Sequence, residues 1–170
     1  PGPNFVFLAP QGNIRMAVMG LEDKPATPEE MTKMQSLLGE CLDQGAFGMS
    51  TGMVYPPCCY SSTEEFVELA KVLAKRDAVF VTHQRNESND IITSMKEILT
   101  ITERSGCRSH FSHFKVAGKE NWGNLDGMFG LLDGARERGF AISVDQYPYT
   151  AGSTMLSVIL PPWAHRGGSE

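Results

Sequence analysis

Several features that mark other classes of protein are missing from this 170-residue sequence. Its 15 lysines and arginines are scattered and its formal net charge is −5, so it lacks the basic patch that nucleic-acid binding requires. No apolar run approaches the roughly 20 residues that span a bilayer, and residues 1–4 show no signal-peptide pattern. The sequence therefore predicts a cytoplasmic protein that binds neither nucleic acid nor membrane.

The sequence lacks cysteines spaced for a structural role. Cys41, Cys58, Cys59 and Cys107 form no C-x-x-C zinc spacing, and the adjacent Cys58 and Cys59 are poorly placed for a disulfide with each other. We expect four reduced thiols, with metal ligation by one of them as the alternative.

The composition is that of a globular domain, and the chain contains a repeated strand and helix pattern. Hydrophobic residues make up 41% of the sequence, and its length predicts one domain over residues 1–170. Strand-like runs are predicted at residues 4–8, 46–51, 78–83, 109–113 and 140–145. The ends of the last four runs, Thr51, His83, His113 and Asp145, are 32, 30 and 32 residues apart. This spacing is typical of parallel strands joined by helices.

The segments between these runs carry helix signals. Capping boxes at residues 27–30 and 62–65 predict the starts of two helices, and Gly106 predicts the end of a third. A fourth helix, over residues 125–138, contains three glycines and is the weakest of the four. Five such strands form either an open doubly wound sheet or part of an eight-stranded barrel. Length alone favours the open sheet, because a complete barrel needs about 250 residues.

Two of the strand-like runs end in a histidine. Alternation groups His83 with Val79 and Val81, and it groups His113 with Phe111 and Lys115. Because neighbouring parallel strands lie about 4.8 Å apart, both imidazoles can reach one metal ion, although hydrogen-bonded core histidines remain the alternative. The same alternation predicts that His110 faces a helix, and no role is predicted for His165.

Five segments together resemble the D-aminoacylases, or N-acyl-D-amino-acid deacylases, of the amidohydrolase superfamily. The resemblance covers nearly the whole chain, and the segments occur in the order found in the family. They are residues 15–20 (RMAVMG), 45–52 (GAFGMSTG) with 55–57 (YPP), 82–87 (THQRNE), 112–115 (SHFK) and 145–154 (DQYPYTAGST).

The resemblance implies a partial (β/α)8 TIM-type barrel whose five strands match the third to the seventh of the family. It implies zinc as the cofactor, with His83 and His113 as metal ligands. The first-strand His-x-His, the second-strand cysteine and the eighth-strand catalytic aspartate of the family have no counterpart here, so no catalytic residue is assigned. The loop at Gln11 and Gly12 also departs from the family, because relatives commonly have histidine where Gln11 stands.

The resemblance also implies three substrate-binding residues, Tyr55, Lys115 and Ser153. Their alternatives are that Tyr55 shapes a loop, Lys115 is a solvated cation and Ser153 caps a turn. Asp145 either orients a ligand histidine or hydrogen-bonds loop amides at its strand end, and we favour the second interpretation.

The implied activity is zinc-dependent hydrolysis of the amide of N-acyl-D-amino acids, a small-molecule substrate, to a carboxylate and a free D-amino acid. The alternatives are a hydantoinase-like or dihydroorotase-like amidohydrolase and a non-catalytic truncated fragment. We expect the isolated 170 residues to be a poor catalyst, because a catalytic zinc normally has three protein ligands. We also expect the chain to self-associate through unpaired barrel edges.

Overall fold

The computed structural model describes residues 2–165, which contain five strands and five α-helices. The strands are β1 (Leu8–Pro10), β2 (Gly48–Gly52), β3 (Val79–His83), β4 (Arg108–Phe111) and β5 (Ile142–Val144). The helices are α1 (Gln11–Met19), α2 (Pro28–Asp43), α3 (Thr63–Ala74), α4 (Ile91–Ser105) and α5 (Leu125–Glu137). Short 3-10 turns lie at Cys58–Tyr60, Lys119–Asn124, Leu156–Ile159 and Pro162–His165. None of the helices in this part of the chain is both long and apolar enough to cross a membrane.

All five strands are parallel and lie in the order of the sequence, β1-β2-β3-β4-β5. A doubly wound sheet reverses its strand order at a switch point, whereas a (β/α)8 barrel does not. The order is therefore that of a partial barrel, and the open doubly wound alternative is wrong. The carboxyl ends of all five strands meet at one edge of the sheet, which is where barrel enzymes place their sites.

The core lies between one face of the sheet and the helices. Phe80 and Thr82 of β3 and Ser109 and Phe111 of β4 are buried on this face. The core is filled from the helices by Met34, Leu38, Phe66, Leu69, Leu73, Met95, Ile98 and Leu132, all of which are almost fully buried. Residues on the opposite face, such as Val79 and Val81, are only partly buried. That second face would line the interior of a barrel.

The predicted helix ends are mostly confirmed. Thr27 and Glu30 form both halves of a capping box at the start of α2. Ser62 caps α3 by accepting from the Glu65 backbone N–H, but the Glu65 side chain does not return to Ser62. Gly106 ends α4 in the left-handed conformation at φ +75°.

The prediction for the first strand is wrong by four residues. Residues 4–7 are not in a strand, and Phe5 and Phe7 are 77% and 73% exposed. The parallel register pairs Leu8 with Gly48, so residues before Leu8 would need partners in the turn that precedes β2. The Phe47 backbone N–H donates to the Phe7 carbonyl, and regular pairing begins at the next residue, Leu8.

The loop expected at Gln11 and Gly12 is instead the first turn of α1. This helix brings Arg15 into the interior, where its Nε lies 3.2 Å from Glu65 Oε1 and both side chains are buried. Gln11 donates to Ser61 and Glu65 and accepts from Thr51. The Glu65 carboxylate is thus used in a buried network that joins α1 to α3, which explains why it does not complete the second capping box.

Candidate metal centre

His83 is placed by regular strand geometry. It is the last residue of β3, pairs in register with Gly52 of β2 and shares the inner face with Val79 and Val81, as alternation predicts. Its side chain is half-buried, and burial lowers the pKa of His83 below its ordinary value. A neutral imidazole with one unprotonated nitrogen is the form that binds metals.

His113 reaches the same place by a different route. β4 ends at Phe111, and His113 has a left-handed backbone with φ +40°. The prediction that Phe111 and His113 share a strand face is therefore wrong. Phe111 is 1% exposed in the core, whereas the turn carries the His113 ring to the His83 side of the sheet.

Asp145 holds the turn that carries His113. Its side chain accepts from the His113 backbone N–H, its own N–H donates to the Phe111 carbonyl, and its carbonyl accepts from Phe114. Burial acts to raise the pKa of Asp145, but hydrogen bonds from His110 and His113 outweigh it and lower that pKa. Asp145 therefore bonds a loop amide at its strand end, which is the interpretation favoured from the sequence.

His110 does not face a helix, contrary to the prediction. It pairs in register with Val81 and therefore lies on the inner face, because Ser109 and Phe111 occupy the helix side. Its ring nitrogens contact Ser143 Oγ at 2.7 Å and Asp145 Oδ2 at 2.9 Å.

The two imidazoles meet at the carboxyl edge of the sheet. His83 Nδ1 lies 2.9 Å from His113 Nε2, and Glu87 joins them in a group whose potential ligand atoms lie within 4.8 Å of one another. Nitrogens bound to one zinc at about 2.0–2.1 Å can lie no more than about 4 Å apart, so these two imidazole nitrogens are close enough to share a metal ion. Glu87 Oε1 is buried and lies 2.9 Å from His113 Nδ1, but it has no hydrogen-bond partner among residues 2–165. Glu87 lies in the family-like segment 82–87, but the sequence did not predict a role for it.

Lys115 and Ser153 line the same cavity of about 540 Å³ as the two histidines. Lys115 Nζ donates to Glu87 Oε2 and lies 3.0 Å from His113 Nδ1, so it is paired and not simply solvated. Tyr55 lies in the wall of a neighbouring cavity of about 370 Å³. Its hydroxyl is 2.6 Å from Thr154 Oγ1, and its ring centroid is 5.3 Å from that of His83.

Tyr147 is a second residue of this cavity to which the sequence gave no role. Its ring centroid lies 6.2 Å from that of His113 and 5.7 Å from Lys115 Nζ. The signal available in the sequence was an aromatic residue two positions after Asp145, within the segment that follows β5.

The cysteines do not complete this group. All four are free thiols, and no cysteine belongs to the metal-type cluster found among the described residues. Burial raises the pKa of the Cys107 thiol and raises that of Cys59 to about 11. Because the thiolate is the form that ligates metals, this observation argues against the cysteine alternative.

The chain is similar to known deacylases in sequence and in structure, although no family model matches it. It is 35% identical over 153 residues to D-aminoacylase of Alcaligenes xylosoxydans xylosoxydans, across 90% of this chain and 31% of that protein. It is 37% identical over 156 residues to N-acyl-D-aspartate deacylase of the same organism, with the same coverage. The N-acyl-D-glutamate deacylase of Bordetella bronchiseptica, solved with zinc and a phosphonate that mimics the tetrahedral intermediate, superposes with a TM-score of 0.85 at 34% identity. That match covers 88% of this chain and 31% of the deacylase chain.

The chain thus spans about one third of the length of the curated relatives that it matches. The sequence match covers 90% of this chain, and the structural match covers 88% of it. By sequence and by fold, the chain is a homologue of the D-aminoacylases, or N-acyl-D-amino-acid deacylases, of the amidohydrolase superfamily.

Proposed function

We propose that a polypeptide carrying these residues within a complete (β/α)8 barrel hydrolyses the amide bond of N-acyl-D-amino acids with zinc as its cofactor. In this proposal, β1 to β5 are the third to the seventh strands of the barrel. The observation that carries it is the approach of His83 Nδ1 to His113 Nε2 at 2.9 Å, beside a lysine and in one cavity. The zinc and the phosphonate bound by the similar B. bronchiseptica deacylase support the same reaction class.

His83 and His113 would hold the metal. Zinc, when bound, lowers the pKa of a coordinated water to about 7 and polarises the acyl carbonyl of an amide. Both imidazoles are only partly exposed, with 22% and 24% of the side chain accessible, which limits competition from bulk water. Their backbone anchors, the β2 pairing of His83 and the Asp145 contact of His113, would keep the two nitrogens close before metal binds.

Lys115 would bind the free carboxylate of the substrate, and Tyr55 and Ser153 would shape the space for its side chain. Lys115 already forms one ion pair with Glu87, but an ammonium has three donors and can contact a second carboxylate. Lys115 and Ser153 line the histidine cavity directly, and Tyr55 approaches it through Thr154 and the His83 ring.

The metal assignment is tested on the 170-residue chain by titration with zinc. We expect His83→Ala and His113→Ala each to abolish the tightest zinc binding, because each removes one of two imidazole ligands. His165→Ala is the control, because it removes a histidine outside the pair and should leave affinity unchanged. Unaltered affinity in both site variants would contradict the assignment.

The substrate assignment is tested on the polypeptide that contains the whole barrel. N-acetyl-D-methionine should be hydrolysed and N-acetyl-L-methionine should not. Lys115→Met should lower kcat/KM for the D-substrate by about 10- to 100-fold, which corresponds to a lost charge-assisted hydrogen bond of about 1.5–3 kcal/mol. An amide substrate without a carboxylate is the control, since it should be affected much less. An equal loss on both substrates would remove Lys115 from carboxylate binding.

A further inference from the structure

We propose that Arg85 is a positioning residue that determines where Tyr55 lies in the wall of the candidate site. Arg85 holds the turn that follows Tyr55 and does not bind substrate itself. The consequence for a substrate rests on the proposed function. The support of the turn is a property of the chain alone and can be measured without zinc or substrate.

Arg85 joins the turn Cys58–Tyr60, which follows β2, to helix α4. Its Nη1 donates to the Cys59 carbonyl at 3.0 Å, and its Nη2 donates to the Ser61 carbonyl at 3.0 Å. On the other side, Nε and Nη2 donate to the two carboxylate oxygens of Glu97 at 2.9 Å and 3.0 Å. A guanidinium is planar, so this two-point contact with Glu97 fixes the orientation in which Arg85 reaches the two carbonyls.

The same contacts argue against a direct role of Arg85 in substrate binding. Arg85 lines both cavities beside the histidines, and a cation in that place is a natural candidate for binding a carboxylate. Four guanidinium N–H bonds are already made to protein acceptors, and the charge is paired with Glu97, whose side chain is only 14% exposed. Arg85 therefore acts on a substrate only through the loop that it holds.

The backbone connects this turn directly to Tyr55. The Cys59 N–H donates to the Tyr55 carbonyl at 2.9 Å, so one residue accepts from Arg85 and donates to Tyr55. The Tyr55 ring packs closely on Gly52, where an added Cβ would lie 2.7 Å from Cδ2 of the ring. While the turn is held, Tyr55 thus has little room to move, and its ring centroid stays 5.3 Å from that of His83.

The opposite side of the turn packs on α1. Cys58 is 7% exposed, and its Sγ would lie 2.9 Å from a Cβ added to Gly12. This is a van der Waals contact without directional preference, whereas the hydrogen bonds from Arg85 fix the positions of two carbonyls. Loss of Arg85 should therefore loosen the turn and expose the Cys58 thiol, which makes the movement measurable.

The support of the turn is tested on the metal-free 170-residue chain by native labelling with N-ethylmaleimide, with each cysteine followed by mass spectrometry. In Arg85→Met we expect Cys58 to be labelled about 10- to 100-fold faster, the factor that corresponds to one lost hydrogen bond to a charged group. The quantity measured is the ratio of the Cys58 rate to the Cys107 rate. Cys107 is buried in the core, so a general loss of stability accelerates both thiols and leaves their ratio unchanged. An unchanged ratio would overturn the inference.

Two further variants test the route through Arg85. Arg104→Met is the matched control, because Arg104 also joins α4 to α3, through Glu64 on the exposed surface, and its loss should leave the ratio unchanged. Glu97→Ala should raise the ratio less than Arg85→Met does, since Arg85 then keeps the two carbonyls but loses the carboxylate that orients it. In the double variant, Glu97→Ala should add little to Arg85→Met, and an additive increase would contradict the route through Arg85.

In the polypeptide that contains the whole barrel, the same variant separates positioning from catalysis. Arg85→Met should raise KM for N-acetyl-D-methionine about 10-fold and leave kcat within about 2-fold, because the turn shapes the space for the substrate side chain and supplies no group to the metal. N-acetyl-D-alanine, with its single methyl group, should be affected less. An equal rise in KM for both substrates, or a loss of kcat at constant KM, would overturn the inference. Absence of hydrolysis by the unaltered polypeptide would count against the proposed function alone, because the labelling ratio does not depend on it.

Discussion

His83 at the end of β3 and His113 after β4 reach the same site, but different kinds of structure position them. β3 stays regular to its last residue, and His83 is paired in register with Gly52 of the neighbouring strand. β4 loses its regular pairing after Phe111, and His113 follows in a left-handed turn that Asp145 holds from β5. One imidazole is therefore placed by local strand geometry, while the other depends on a contact that bridges 32 residues.

The largest expected effect is the loss of stability when the core-facing side chain of the regular strand β3 is truncated. Phe80 of β3 is fully buried on the helix side of the sheet, so Phe80→Ala should lower the free energy of unfolding by about 3–5 kcal/mol. Phe5→Ala is the control; the Phe5 ring is mostly exposed, and its loss should change stability by less than about 0.5 kcal/mol. Urea denaturation measures both, and equal effects of the two variants would show that β3 is not supported in this way.

A smaller loss of stability is expected when the turn after β4 loses its contact with Asp145. Asp145→Ala removes the acceptor of the His113 backbone N–H and should cost about 1–3 kcal/mol in stability. It should also weaken zinc binding, because the turn that presents His113 loses its anchor. Asp133→Ala, which removes a surface pair with Arg136, should change neither quantity appreciably. If Asp145→Ala left zinc affinity unchanged, the turn would be held by other contacts.

The smallest expected effect is the difference in stability between a glycine and an alanine variant at each histidine. This difference has opposite signs at His113 and His83. At position 113 a left-handed backbone favours glycine, so His113→Gly should be more stable than His113→Ala by about 1–2 kcal/mol. At position 83 the backbone is an ordinary strand, so His83→Gly should be less stable than His83→Ala by about 0.5–1 kcal/mol. Each glycine is compared with alanine at the same site, which removes the effect of losing the imidazole. The same sign at both sites, measured by thermal unfolding, would contradict the difference between the two strand ends.

The same contrast explains what the sequence could and could not predict. His83 was placed on the correct face because period-two alternation continues to the end of β3. Extending the same rule past Phe111 put Phe111 on the face of His113 and His110 on the helix face. Both placements were wrong because the regular strand ends before His113. The role of Asp145 in that turn is a tertiary contact, which periodicity does not encode.

The other differences between the sequence predictions and the structure have similar causes. The helical positions were predictable where caps were present, as at Thr27 and Gly106. α1 was missed because its first turn follows Pro10 directly, without a capping side chain, and because it buries the charged Arg15. Glu87 contacts both Lys115 and His113, and this relation appears only once the loops after β3 and β4 are folded together.

The strand order has a consequence for the symmetry of any assembly of this chain. The two outer strands, β1 and β5, are the first and the last, and no strand in the described residues pairs with their outer edges. They are not equivalent, because β1 ends in Pro10, which has no N–H to donate, whereas every residue of β5 has one. Pairing of β5 with β5 of a second copy would be isologous and would close as a dimer, while pairing of β1 with β5 would be heterologous and open-ended. We therefore expect self-association of the isolated chain to stop at a dimer in light scattering across concentrations. Val144→Pro should reduce it, because residues 141 and 145 bond to β4 and the alternate Val144 N–H faces the outer edge.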